Sequence, residues 1–154
     1  MGAKKLNLLL SKRKLTIATA ESCTGGMLAS TIIGEAGASE IIKSSIVTYS
    51  NEAKVKYAGV KEETLKKYGA VSEKVAGEMA KGIAKECSAD VGVGISGIAG
   101  PTGAVPGKPV GTVCFGFCFK GKVLTETMLF KGNRTAVRKK SVKHAINKLE
   151  NMLK

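Results

Sequence analysis

The chain has 154 residues, 44% of them hydrophobic, and a formal net charge of +13. That length suits one domain with a proper core, burying roughly 70% of the surface its unfolded chain would expose. No apolar run approaches the ~20 residues of a membrane span, and one histidine, one aspartate and four cysteines leave no cluster of zinc-type spacing.

In chain order, residues 1–14 set a short apolar patch between two basic clusters. This reads as an amphipathic helix and not a signal peptide, since no cleavage region follows. Leu15–Ala20 reads as a short buried strand and Thr24–Ile33 as a helix. Ser45–Tyr49 is β-branched and reads as a second strand. Asn51–Ala58 and Lys61–Tyr68 follow as two short helices separated by Gly59. Ser72 opens a longer helix to about Cys87, in which Val75, Met79 and Ile83 recur at helical spacing.

From Asp90 the pattern becomes strand, D-V-G-V-G-I-S-G, followed by a loop rich in glycine and proline, I-A-G-P-T-G-A-V-P-G-K-P. Val110–Lys120 and Val123–Phe130 form a hairpin across Lys120–Gly121–Lys122. In its first strand Val113, Phe115, Phe117 and Phe119 share one face. Cys114, Gly116 and Cys118 share the other, a small-residue face that lets a helix pack closely. A last helix, Arg134 to about Leu153, carries Val142, Ala145, Ile146, Leu149 and Leu153 on one stripe. The sum is a single three-layer α/β/α domain over residues 1–154. Its sheet is mixed, because a hairpin is antiparallel.

The charge sits at the two ends. Residues 1–14 contribute +5 and residues 131–154 contribute +7, leaving +1 for everything between. A strongly basic chain invites a nucleic-acid reading. Here the unusual motifs fall in the near-neutral middle, and no aromatic-rich strand of the RNA-reading kind is present. Solvated basic faces, or a pull on small anions, account for the charge at least as well, which argues against nucleic acid as the partner. Cys114 and Cys118 stand four apart and Cys23 and Cys87 alone, a usage that predicts reduced thiols and a cytoplasmic address.

Four stretches hold candidate chemistry. Gly92, Gly94 and Gly97 spell the dinucleotide fingerprint G-x-G-x-x-G, yet they lie inside a strand and not at a strand-to-helix turn. Close packing against a neighbour is the better account. A-E-S-C-T-G-G, at 20–26, puts Ser22 where a strand gives way to a helix. Backbone amides there, with Gly25 and Gly26, suit a helix cap, an anion site, or a nucleophile beside an oxyanion hole.

V-T-Y-S-N-E-A-K, at 47–54, ends a strand at Tyr49, caps a helix with Ser50 or Asn51 and places Lys54 in its first turn. The positive helix end there disfavours the ammonium form, as a neutral general base requires; a solvated lysine would fit the spacing as well. K-G-N-R-T-A-V-R sets Asn133 at a helix cap with Arg134 and Arg138 on one face, either an anion clamp or a basic solvent face.

T-A-E-S-C-T-G-G, V-T-Y-S-N-E-A-K, G-A-V-S-E, I-S-G-I-A-G-P, K-P-V-G-T-V and G-N-R-x-x-V-R follow one another over positions 19–138. Together they resemble the CinA C-terminal-domain family, the nicotinamide mononucleotide deamidases. The resemblance implies a catalytic Ser22, Tyr49 and Lys54. Ser22 would attack the substrate carboxamide, Lys54 would take its proton directly or through Tyr49, and amides around Thr24, Gly25 and Gly26 would hold the oxyanion.

Arg134 would bind the substrate phosphate. Ser50, Asn51 and the Ser96–Gly103 loop, with Ser96, Gly97 and Gly100, would line the pocket. With one histidine and no ligand cluster, neither a metal nor a cofactor is expected, and the resemblance implies a homo-oligomer with the dimer favoured. Asn133 departs from the aspartate of many relatives. Some relatives carry a large N-terminal nucleotide-hydrolase domain for which 154 residues leave no room, so the chain resembles the stand-alone form. Two other readings stay open: a catalytically silent regulatory or DNA-associated module, and an amidase acting on another small amide.

Overall fold

Strand and helix alternate along the chain as its hydrophobic periods predict. The computed structural model describes all 154 residues. The order is α1 (Lys4–Lys12), β1 (Ile17–Glu21), α2 (Met27–Ile33), a 3-10 turn (Ala38–Glu40), β2 (Ile42–Val47), α3 (Asn51–Ala58), α4 (Glu62–Tyr68), α5 (Glu73–Glu86), β3 (Val91–Gly97), β4 (Thr112–Phe119), β5 (Lys122–Leu129) and α6 (Arg134–Met152). The strands form one sheet in the order β2-β1-β3-β4-β5. β1 is parallel to β2 and β3, while β3–β4 and β4–β5 are antiparallel, so the sheet is mixed. No helix is long and apolar enough to cross a membrane.

The two faces of the sheet are filled differently. Val91, Val93 and Ile95 of β3 and Val113, Phe115 and Phe117 of β4 meet the stripes of α1, α2 and α6 in the main core. The predicted α6 stripe, Val142 to Leu153, is part of it. On the opposite face β3 and β4 present Gly92, Gly94 and Gly116 to α5. A Cβ on any of them would overlap the carbonyl oxygens of Ala76 or Ala80. The G-x-G-x-x-G spelling is therefore a helix seat, and Gly97 is packed in turn against Val113. One layer further out, a Cβ on Gly82 of α5 would overlap the Ala58 carbonyl at the end of α3. Two close approaches in series set the position of α3, the helix that carries Lys54.

Side-chain caps start three of the helices. Ser50 Oγ accepts from the Ala53 amide at 3.0 Å, Ser72 Oγ from Val75 at 3.2 Å, and Asn133 Oδ1 from Ala136 at 2.9 Å. Each such cap contributes about 1 kcal/mol. Asparagine thus performs at position 133 the capping that an aspartate would. The single histidine is used structurally: His144 on α6 lies 2.6 Å from Glu126 of β5, which also accepts from Lys148 at 3.1 Å. Burial works against ionisation of Glu126, but these two partners prevail and hold its pKa below the usual carboxylate value.

Element boundaries differ from the sequence reading where the backbone turns sharply. α2 begins at Met27 and not Thr24, because Gly25 (φ 58°) and Gly26 (φ 93°) are left-handed, which a right-handed helix excludes. β2 covers Ile42–Val47 instead of Ser45–Tyr49, since Thr48 and Tyr49 leave the strand and turn their carbonyls to Lys54.

Substituting Gly116→Ala should force α5 off the sheet. Overpacking of this kind costs about 1–3 kcal/mol, and here the obstacle is backbone. Urea denaturation should therefore show a loss at the upper end of that range.

Candidate active site

Parallel strands leave their connecting loops on one side of a sheet, beyond their carboxyl ends, where ligands gather. Ser22 directly follows β1, and its amide donates to the Ile95 carbonyl of β3 at 2.9 Å. Thr48 directly follows β2, and its amide donates to the Glu21 carbonyl at 2.9 Å. Lys54 reaches back from α3 into the space between them. Its Nζ is 2.9 Å from the Thr48 carbonyl, 3.1 Å from the Tyr49 carbonyl and 3.1 Å from Ser22 Oγ.

Lys54 is 1% exposed and Ser22 8%. The ion pairs of the protein involve Lys5, His144 and Lys148, so no carboxylate neutralises Lys54. Burial pushes the Lys54 pKa below its ordinary 10.5, opposed only by the charge that a Cys23 thiolate would carry. The same burial pushes the Cys23 thiol up to about 11, which leaves it protonated and a poor nucleophile at neutral pH.

The turn after Ser22 is bound from within. The Gly25 amide donates to the Ser22 carbonyl at 3.1 Å and the Met27 amide to the Thr24 carbonyl at 3.0 Å. The next two amides, of Leu28 and Ala29, donate to the Glu21 carboxylate at 2.9 and 3.0 Å. The start of α2 is therefore already occupied by an anion of the protein itself. The amides of Cys23, Thr24 and Gly26 donate to no protein acceptor. Of the expected oxyanion donors Thr24, Gly25 and Gly26, the middle one is spent.

The arginines of α6 part company. Arg134, on the surface, donates to the Gly100 carbonyl at 2.8 Å and to Tyr49 Oη at 3.2 Å. Arg138, half-buried, donates through Nε to the Cys23 carbonyl at 2.9 Å and through Nη2 to the Thr24 carbonyl at 3.1 Å. Tyr49 thus touches the dyad through its carbonyl and Arg134 through its hydroxyl, with the residue 62% exposed. The other expected pocket residues have local tasks. Ser50 caps α3, Asn51 is exposed at its first position, and Ser96 Oγ donates to the Ala70 carbonyl at 2.7 Å. No three side chains of His, Cys, Asp or Glu converge as metal ligands.

The CinA C-terminal domain family matches residues 2–153. The chain belongs to that family. A CinA-like protein of Kosmotoga olearia is 52% identical over 139 residues, covering 90% of this chain and 34% of the relative. A protein of Clostridium acetobutylicum named for competence-damage induction is 51% identical, covering 92% of this chain and 34% of its own length. The chain thus spans about a third of the length of these curated relatives. Among solved structures, a CinA superfamily protein from Klebsiella pneumoniae 700603 superposes with a TM-score of 0.95 at 38% identity, covering 98% of this chain and 94% of the other. The competence/damage inducible protein CihA from Agrobacterium tumefaciens gives 0.95 at 36%, covering 99% and 93%.

Glu21 of this CinA domain is the site residue that sequence reasoning missed. It is 1% exposed and accepts from Thr19 Oγ1 at 3.0 Å and Thr24 Oγ1 at 2.6 Å besides the two amides. The signal was present, since a carboxylate at the end of an apolar strand must find donors in the turn that follows. Glu21→Leu strands four buried donors and should cost on the order of 3 kcal/mol or more. Thermal unfolding of that variant beside Glu21→Gln, which retains part of the acceptor capacity, should show the larger loss for leucine.

Proposed function

We propose that this CinA domain hydrolyses the carboxamide of nicotinamide mononucleotide to nicotinate mononucleotide and ammonia, with Ser22 as nucleophile and Lys54 as base. The observation that carries the reading is the buried Lys54 amine 3.1 Å from Ser22 Oγ with no carboxylate beside it. A neutral amine has two N–H bonds and one lone pair. With the N–H bonds on the Thr48 and Tyr49 carbonyls, the lone pair faces the serine, which donates its hydroxyl proton to Nζ. A folded but silent module would bear the desolvation of a lysine that no carboxylate neutralises, several kcal/mol if charged, offset only by its three hydrogen bonds to neutral oxygens.

In the forward step Ser22 Oγ bonds to the amide carbon as its proton passes to Lys54. The carbonyl oxygen becomes an oxyanion, stabilised by free amides of the 23–26 turn. Lys54 then gives its proton to the leaving nitrogen, and ammonia departs to leave an acyl-serine ester. Water, deprotonated by the same amine, attacks the ester. The acyl–Oγ bond breaks, Lys54 returns the proton to Ser22 Oγ, and the product leaves as the acid, which ionises to the carboxylate in water. The direct Lys54–Ser22 contact supports proton transfer without a tyrosine relay. Tyr49 then serves by holding Nζ with its carbonyl and Arg134 with its hydroxyl. The choice of substrate rests on the family motifs and on the exposed Arg134 guanidinium, which suits a phosphate.

Ser22→Ala should abolish ammonia release while Cys23→Ala keeps most of it. Lys54→Arg retains the charge but offers no neutral amine, so its kcat should fall nearly as far as that of Lys54→Ala.

The sign of the pH dependence follows from the neutral form being active. kcat/KM should rise with pH through a one-proton step whose midpoint lies below the ordinary lysine value of 10.5, and fall on acidification. A pH profile of wild-type turnover checks this.

Arg134→Ala should raise KM about tenfold or more, since a guanidinium–phosphate contact contributes about 1.5–3 kcal/mol. It should change hydrolysis of the phosphate-free nicotinamide riboside little.

A further inference from the structure

Arg138 lies one turn beyond Arg134 on the same helix, and spacing alone fits either a second anion-binding group or a solvent-facing one. Its surroundings point to a third role. The guanidinium is half-buried, and two of its nitrogens are taken by carbonyls of the nucleophile turn, Cys23 at 2.9 Å and Thr24 at 3.1 Å. A trans peptide is planar, with its N–H opposed to its C=O, so fixing a carbonyl fixes the direction of the following amide. Holding two successive carbonyls orients the amides of Thr24, which is unpaired, and of Gly25, which closes the turn onto the Ser22 carbonyl.

Thr24 is the buried pivot of this arrangement. Its hydroxyl donates to Glu21 at 2.6 Å and its carbonyl accepts from Arg138, while its own amide has no acceptor. On either side the amides of Cys23 and Gly26 are also unpaired, and these residues reach the surface, Cys23 being 6% exposed and Gly26 more so. Amides that pair with no group of the protein are available to an anion that approaches the turn.

We propose that Arg138 is a positioning residue. It grips the Cys23 and Thr24 carbonyls and so holds the 23–26 turn beside Ser22 in the shape that stabilises the developing oxyanion, and it does not bind substrate. The proposal rests on the reading of Ser22 as nucleophile. Its signature is a loss in turnover without a loss in binding, opposite to that of Arg134.

The test compares Arg138→Ala, Arg138→Lys and Ser22→Ala for ammonia release from nicotinamide mononucleotide, with folding checked by circular dichroism. A single oxyanion donor is worth about 10²–10³ in kcat. Arg138→Ala should therefore lose on the order of a hundredfold in kcat, with KM within about twofold of wild type. Added guanidinium ion should restore part of the rate. Lysine presents a point charge that cannot bridge two carbonyls, so Arg138→Lys should be nearly as slow; it also carries the comparison if alanine unfolds the chain.

A rise in KM at unchanged kcat, rescued by lysine, would identify an anion clamp and overturn the proposal. So would an Arg138→Ala rate within threefold of wild type beside an inactive Ser22→Ala. If the wild type leaves nicotinamide mononucleotide intact, the substrate assignment fails alone. The rate of Ser22 labelling by an alkyl fluorophosphonate, which also forms an oxyanion, then decides. At least tenfold slower labelling of Arg138→Ala supports the positioning role, and equal rates refute it. A wild type that neither turns over nor labels at Ser22 overturns both ideas.

Discussion

Glu21 stands at the junction of three elements, and the site depends on how its buried charge is satisfied. A carboxylate withdrawn from water costs several kcal/mol unless donors surround it. Here two threonine hydroxyls and the Leu28 and Ala29 amides do so. Those bonds fix the start of α2 and the Thr24 side chain relative to β1. The backbone carbonyl of the same residue receives the Thr48 amide, and the Thr48 carbonyl in turn receives Lys54. Ser22 and Lys54 therefore stand on two sides of one residue. Their 3.1 Å separation is inherited from a short chain of main-chain contacts and not from a flexible side chain alone.

Burial, more than charge, shapes the reactivity of the pair. Desolvation favours neutral forms, so it lowers the lysine pKa and raises that of the adjacent thiol. One environment thereby favours the neutral amine at Lys54 and the protonated thiol at Cys23. The enclosure reaches back to the glycines of β3 and β4. Without side chains there, α5 sits directly on the sheet, α3 sits on α5 at Gly82, and Lys54 is carried inward.

The arginines of α6 show how one helix face can do two tasks. A spacing of four residues moves a side chain about 6 Å along the axis. Arg134, at the first position of the helix, meets the Gly100 carbonyl and the Tyr49 hydroxyl at the surface. Arg138, one turn deeper, meets the turn that follows β1. Each guanidinium spends two donors, and exposure separates them: Arg134 lies at the surface within reach of a ligand, while Arg138 is half-buried against the turn. Lys139 and Lys143 of the same helix face solvent.

Periodicity determined the element types and their order, because side-chain spacing of 2 or 3.6 residues is a local property. It also foretold the small-residue face of β4 and the close packing of Gly92 and Gly94, since a strand of alternating glycines leaves room on one side only. Motif spelling brought Ser22, Tyr49, Lys54 and Arg134 forward. Only the tertiary structure decided how they meet. The Lys54 pKa is lowered by enclosure, which depends on what α5 and the sheet bring around it, and spacing from a helix start does not report that. Glu21 went unnoticed because its donors lie up to eight residues further on, beyond a turn whose left-handed glycines no hydrophobic period reveals. Arg138 found the Cys23 and Thr24 carbonyls more than a hundred residues back in the chain. Such a contact exists only after folding, because the chain between fixes no distance until the sheet and α6 have packed.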